Sequence, residues 1–338
     1  MTEVESVITA EKWLRGEWFE RSLVYFFDDE IFHRARLCAF QQFELPQWRT
    51  EGVHPKNDTR FLEYVFWVHA VNFCFTHPHA PFKKYEITRR NRGVLRGTFA
   101  LQSRFAEIAD YSREGTTVAM RGICESASRM KVFFNAYGHY HIPCAKDRCQ
   151  IMRTALGNLR ELYDNSVFNV FEDASWDAVK LVEILTRNFP AVFGDDYYDD
   201  SRTGKRIVFE ARALRMALMY EGRAQSSKGR LKKLSSIEKI GPISDHRIPQ
   251  ALCAMGILHY DRALDEKIIA RVVFEKNSQE ELGIRAGTLV VVEKFLNWIN
   301  ELRREYGVSQ IHMGHMDHFL RSSAQPLTGH HITRTTAY

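Results

Sequence analysis

The 338-residue sequence has no apolar stretch approaching the roughly 20 residues that a membrane-spanning helix needs. Its first residues, MTEVESVITAEKWLRGEW, are acidic and polar where a secretory leader would be basic and then apolar, so a soluble protein with no export address is expected. No glycine-rich turn follows a candidate strand, which removes the dinucleotide-binding and Walker-type phosphate readings. Gly-x-Ser-x-Gly is also missing, and with it the nucleophile elbow of many hydrolases. Cysteines are few and scattered. Cys38, Cys74, Cys124, Cys144, Cys149 and Cys253 lie mostly in apolar surroundings, the pattern of reduced buried thiols in a cytoplasmic protein.

Two clusters hold potential metal ligands without metal-site spacing. HYHIPCAKDRC offers His139, His141, Cys144 and Cys149, whose gaps match no usual zinc pattern. IHMGHMDH places His312, His315 and His318 at three-residue intervals, which reads as coincidence or a solvated tail. No metal and no other cofactor is expected. Charge is equally undemanding: 47 Lys and Arg against 42 Asp and Glu leave a net charge of +5, too little over this length to require a nucleic-acid partner. A phosphorylated small molecule would suit it as well.

What is present is a large apolar and aromatic content, 45% and 12%, sufficient for a sizeable core. Helical spacing predicts two helices between Thr9 and about Phe43, carried by Trp13, Trp18, Leu23, Ile31, Ala35 and Cys38. A loop over residues 44–60 follows, interrupted by Pro46, Gly52 and Pro55. FLEYVFWVHAVNFCF, Phe61 to Phe75, reads as a buried helix in which His69 and Asn72 need partners. KYEITRRNRGVLRGTFAL alternates on either side of Asn91, Arg92 and Gly93, as a small antiparallel hairpin does. Further helices are expected over Leu101–Asp110, Ala145–Leu162, Trp176–Asn188, Val208–Glu221 and Ile248–Met255, then towards Phe274, and over Gln279–Glu305. The fold class is mainly α. Nothing marks a firm domain boundary, so residues 1–50 are read as N-terminal helices joined to one helical domain over 51–338.

EGRAQSSKGRLKKLSSIEK, Glu221 to Lys239, reads as a mobile basic loop or solvated face, and alternatively as a segment that closes over a phosphate through Lys232 and Lys233. ISDHRIPQALCAMGILHY places Asp245, His246 and Arg247 directly before Ile248 and Pro249. Proline suits the first turn of a helix. The carboxylate of Asp245 therefore sits where it would cap that helix, or face a pocket with the helix as a rigid support. Arg247 is equally a salt-bridge partner for Asp245 or an anion binder. His246 has a side-chain type that exchanges protons near neutrality.

Several stretches, in order, resemble the queuosine salvage proteins: the HP at His54, FLEYVFWVHAVNFCF at Phe61, the RG step ending at Phe99, EGTTV at Glu114, NFPAVFGDD at Asn188, GKRIVFEARA at Gly204, ISDHRIPQALCAMGILHY at Ile243, NSQEELGIRAGTLVVVE at Asn277, and HHITRTTAY at His330. The resemblance runs from about His54 to Tyr338. It implies an all-helical fold similar to that of DNA glycosylases and hydrolysis of the base–ribose bond of queuosine 5'-phosphate. It also implies that Asp245 is the acid facing the sugar, where a fixed carboxylate stabilises oxocarbenium character or activates water. Candidate substrate-binding residues are His69, Asn72, Phe73, Phe99, Arg212, His246, Arg247, Glu281 and Arg285, with Lys232, Lys233 and Arg334 for the phosphate. Phe73, Phe75 and Phe99 would stack on the base. Glu281 and Arg285, four apart, also suit a structural ion pair.

The chain departs from the family pattern where His69 replaces an acidic residue, Thr76 a Trp, Met219 an Asp and Gly283 an acidic residue, and at Ala211 and Leu214. Two other function classes stay open: a relative that binds a nucleotide or modified base without turnover, and a glycosylase acting on nucleic acid. A small-molecule nucleoside 5'-phosphate, no membrane, and a monomer or homodimer complete the expectation.

Overall fold

A computed structural model describes residues 3–15, 23–77, 80–89, 93–135, 141–194, 196–200, 204–324, 327 and 329–338. Fifteen α-helices and five two-stranded sheets appear among them, so the fold is mainly α. No helix is long and apolar enough to cross a membrane among the described residues. The chain divides into two compact units. One holds residues 1–46, 196–211 and 238–334; the other holds 47–195, 212–237 and 335–338.

The first unit is built on the 27-residue helix Gln279–Glu305. The Ser278 side chain accepts the Glu281 amide at its N-terminus, and Arg303 and Arg304 close its last turn, both favourable placements. The helices Glu3–Arg15 and Asp28–Cys38 pack along it. Leu282, Ala286, Leu289 and Val290 meet Ala10, Leu14, Ile207 and Phe209 in one apolar cluster. Each such Leu or Ile contributes about 1.5–3 kcal/mol by leaving water. Gly287 is required by a close approach: a Cβ there would stand 2.9 Å from Val24 and 3.2 Å from Leu258. Sequence periodicity located the 279–305 helix and placed the second helix, which ends at Cys38. Trp18 of the expected first helix lies outside the described residues.

The second unit surrounds the helix Phe61–Ala70, buried at every position except Glu63, which is intermediate. That helix stops five residues short of the expected Phe75. Its continuation is prevented because Arg148, fully buried, donates to the carbonyls of Val71, Phe73, Cys74 and Pro143, holding residues 71–74 in an irregular path. The hairpin is present as Glu86–Arg89 paired antiparallel with Gly93–Arg96, although Asn91 and Arg92 lie outside the described residues. It is accompanied by four further short pairs, 24–25 with 259–260, 76–77 with 80–84, 197–200 with 205–208, and a parallel pair 273–274 with 332–333. Strands of two to five residues are too short to leave a readable alternation in sequence.

Arg223 is the member of the basic 221–239 stretch that is not solvated. It lies in the helix Ala211–Gln225 with its side chain 1% exposed, and its Nε is 2.6 Å from Asp58. Arg49 and Arg230 join the same carboxylate at 2.9 and 2.7 Å. Burial alone would push the Asp58 carboxyl up, but hydrogen bonds from these arginines hold it at about 2. Removing the anion strands a buried cation. Asp58→Ala is expected to destabilise the protein by about 3–5 kcal/mol, read as the shift in urea midpoint. The double variant with Arg223→Met should lose less than the sum of the single losses. A loss below about 1 kcal/mol would contradict this account.

Candidate active site

Ahead of the helix Ile248–Ala254, Ser244 is 0% and Asp245 1% exposed, while His246 and Arg247 are half-buried. Proline at position 249 fits the helix's first turn, and Asp245 supplies the cap. Its Oδ1 accepts the amide N–H groups of Arg247 at 2.8 Å and Ile248 at 3.3 Å. Oδ2 faces Arg321, whose Nη1 lies 2.8 Å away. Arg321 in turn donates through Nε to Asp317 at 2.8 Å, one helical turn earlier on the helix Met313–Ala324. Asp245 therefore accepts amides at the start of the helix, as the capping reading supposed, and its second oxygen is paired with Arg321.

No ion pair joins the Arg247 guanidinium to Asp245 among the described residues. Its backbone amide bonds Asp245, while Nη1 donates to Gln250 Oε1 at 3.0 Å and to the Ala324 carbonyl at 3.3 Å. The His246 ring is 4.6 Å from that of His330. Burial and the neighbouring His330 push the His246 imidazole well below its usual range. His331, 2% exposed, is held neutral by burial, His330 and Arg285, with its pKa lowered to about 3.

Glu281 and Arg285 form the expected pair at 3.5 Å, within a network that sequence spacing did not suggest. Arg285 grips Asp196 with both terminal nitrogens, at 2.7 and 2.9 Å, stacks 3.8 Å over Phe209, and donates to the Ser244 carbonyl at 3.3 Å. Asp196 Oδ2 also accepts the Ala211 amide, and Glu281 accepts that of Asn277. This network ties the 279–305 helix to the residue before Asp245. Asp245, His246, Arg247, Glu281 and Arg285 are therefore gathered in the first unit. Arg334, of the same unit, is exposed.

The remaining candidates belong to the second unit. His69 Nε2 lies 3.2 Å from Met219 Sδ, and Gln102 Nε2 approaches the same sulfur at 4.0 Å. Two of the departures from the family pattern thus touch each other. Asn72 accepts a hydrogen bond from Thr98 at 2.9 Å. Phe73 is fully buried beneath the guanidinium groups of Arg148 at 4.3 Å and Arg212 at 5.3 Å, a core placement; Phe99 leaves 47% of its surface exposed. Arg212, 2% exposed, donates to the Ala70 carbonyl at 2.6 Å. Lys232 and Lys233 are exposed, with Lys232 5.1 Å over the Trp176 ring.

Residues 312–318 are not a solvated tail. His312 Nδ1 accepts the Gly314 amide, and Met313, Met316, Asp317 and Leu320 are buried on the helix that carries Arg321. His139 of the other histidine cluster lies outside the described residues. Arg321, Asp317 and Asp196 are the residues of this site that sequence reading missed. The i, i+4 spacing of Asp317 and Arg321 was a usable signal, but it named a pair without naming Asp245 as the third member.

The model of the queuosine salvage protein family matches residues 53–338. A queuosine 5'-phosphate N-glycosylase/hydrolase of Sphaerobacter thermophilus is 26% identical over 312 residues, covering 92% of this chain and 91% of that protein. Proteins of the same name from Schizosaccharomyces pombe and Mus musculus are each 24% identical over 270 residues, covering 76% and 79% of this chain and 75% and 77% of theirs. With the match extending over both units and every segment that builds the Asp245 network, the chain belongs to the queuosine salvage protein family.

Proposed function

We propose that this protein is an N-glycosidase that hydrolyses the base–ribose bond of queuosine 5'-phosphate, with Asp245 as the carboxylate at the sugar. The observation that carries the reading is the setting of Asp245: a buried carboxylate, oriented by two amides and one arginine, in a segment shared with the family. In the reaction a water oxygen bonds to C1' as the C1'–N bond breaks. The electron pair leaves with the base nitrogen; Asp245 accepts the proton that the attacking water loses, and that proton ends on the base nitrogen, so free base and ribose 5-phosphate are the products. A carboxylate held in place lowers the barrier because positive charge grows on the sugar while the carboxylate needs no reorganisation.

Arg334, in the same unit as Asp245, is the candidate for the 5'-phosphate, as an exposed cation suits an anion that arrives from solvent. All six cysteines are free thiols, which fits action in the cytoplasm. The test is mass-spectrometric detection of free base from a panel of modified and ordinary nucleosides, their 5'-phosphates, and RNA and DNA strands. Queuine release from queuosine 5'-phosphate is the expected result. The contact between His69 and Met219 favours a second reading, a binding protein that has lost turnover. Saturable binding of queuosine 5'-phosphate with no base released would support it and end the first. Release from strands alone would assign the protein to nucleic acid.

A further inference from the structure

Arg223 and the half-buried Arg321 both pair with buried carboxylates but use their donors differently. Arg223 spends Nε, Nη1 and Nη2 on protein acceptors, as a purely structural guanidinium does. Arg321 gives Nη1 to Asp245 and Nε to Asp317, yet Nη2 is buried and meets no acceptor among the described residues. A buried donor left without a partner is costly, and native proteins keep few of them without a reason. Nη2 of the guanidinium that grips Asp245 is such a donor among the described residues. Asp317 Oδ1 and the Ser244 hydroxyl are likewise buried, with no hydrogen-bond partner among the described residues.

From this geometry we propose that Arg321 is a positioning residue for base hydrolysis: it fixes the Asp245 carboxylate from the side opposite the two capping amides, and is itself held by Asp317. The inference rests on the glycosidase reading. Three contacts from two directions leave the carboxylate little rotational freedom. The other charged and titratable groups around it are Arg247 and His246 on its own segment, His330 and His331 on the segment leading to Arg334, and Arg285 on the 279–305 helix. His246 and His331 are held neutral near pH 7, so Arg321 is the cation in direct contact with Oδ2.

The experiment compares wild type, Arg321→Gln, Arg321→Lys, Asp317→Asn and the Arg321→Gln/Asp317→Asn double variant in queuine release from queuosine 5'-phosphate across pH. Arg321→Gln should lower kcat about 10²–10³-fold with KM within about threefold. The acidic limb of kcat/KM should move to higher pH, because losing the cation makes Asp245 easier to protonate. Lysine should restore about tenfold, as a point charge without the fork. Asp317→Asn leaves the guanidinium in place and should cause a smaller loss, with the double variant no worse than Arg321→Gln. Titration of Asp245 by carbon-13 NMR in wild type and Arg321→Gln reads the same shift without turnover. An active wild type whose Arg321 variants keep kcat, or whose acidic limb and Asp245 titration stay put, overturns the role of Arg321 alone. A wild type that releases no queuine overturns the glycosidase reading and this role with it.

Discussion

Asp245→Asn is expected to lower queuine release by on the order of 10³-fold, about 4 kcal/mol of transition-state stabilisation. The substitution is nearly isosteric, and the amide oxygen of Asn can still accept the Arg247 and Ile248 N–H groups that Oδ1 holds at 2.8 and 3.3 Å. The cap therefore survives, while the negative charge and the proton-accepting oxygen facing Arg321 are lost. Arg321 keeps Asp317 as a counter-ion, so the variant should fold. Mass-spectrometric quantification of queuine, with far-ultraviolet circular dichroism as a check on folding, decides the matter. A folded Asp245→Asn protein with activity within tenfold of wild type would mean that Asp245 is a helix cap and nothing more.

The second large effect is on stability in mild acid. His54 in one unit and His331 in the other are each buried, 3% and 2% exposed, with pKa values lowered to about 3. For His54 the main cause is burial, followed by Arg223; its Nδ1 accepts the Thr50 amide at 3.0 Å, a bond that fits the neutral ring. Because the folded state resists a proton that the unfolded chain takes up near pH 6.5, stability is full above that value and falls as pH drops towards 3. At pH 5 each histidine should have withdrawn on the order of 2 kcal/mol. Asp58, held at about 2, begins to matter only below its ordinary value near 3.8 and does not contribute at pH 5. Urea unfolding at pH 7, 6 and 5 should show midpoints falling in that order, and His54→Asn should flatten the trend. A midpoint independent of pH between 7 and 5 would refute the buried neutral state of both rings.

The long elements were legible because burial leaves a period. Gln279–Glu305 has both its apolar face and its Ser278 cap written locally, and its bounds came out of the sequence unchanged. The helix from Phe61 was legible in kind and wrong in length, since the arginine that ends it stands at position 148. The same asymmetry governs the site. Asp245 was identifiable from its place before Pro249 and from the family resemblance. Arg321 was not, because an ion pair between residues 76 apart leaves no local pattern. Arg223 misled for a related reason: a basic run looks solvated until the acid that buries one member, here Asp58, is known.

His69 and Met219 carry a consequence for how this sequence diverged. Their 3.2 Å contact joins two positions at which the chain differs from its family. An acid restored at position 69 alone would press a carboxylate against a thioether, which offers it no proton. An Asp restored at 219 alone would meet the imidazole in the same buried space. The side chain that fits at either position is thus conditional on the one at the other.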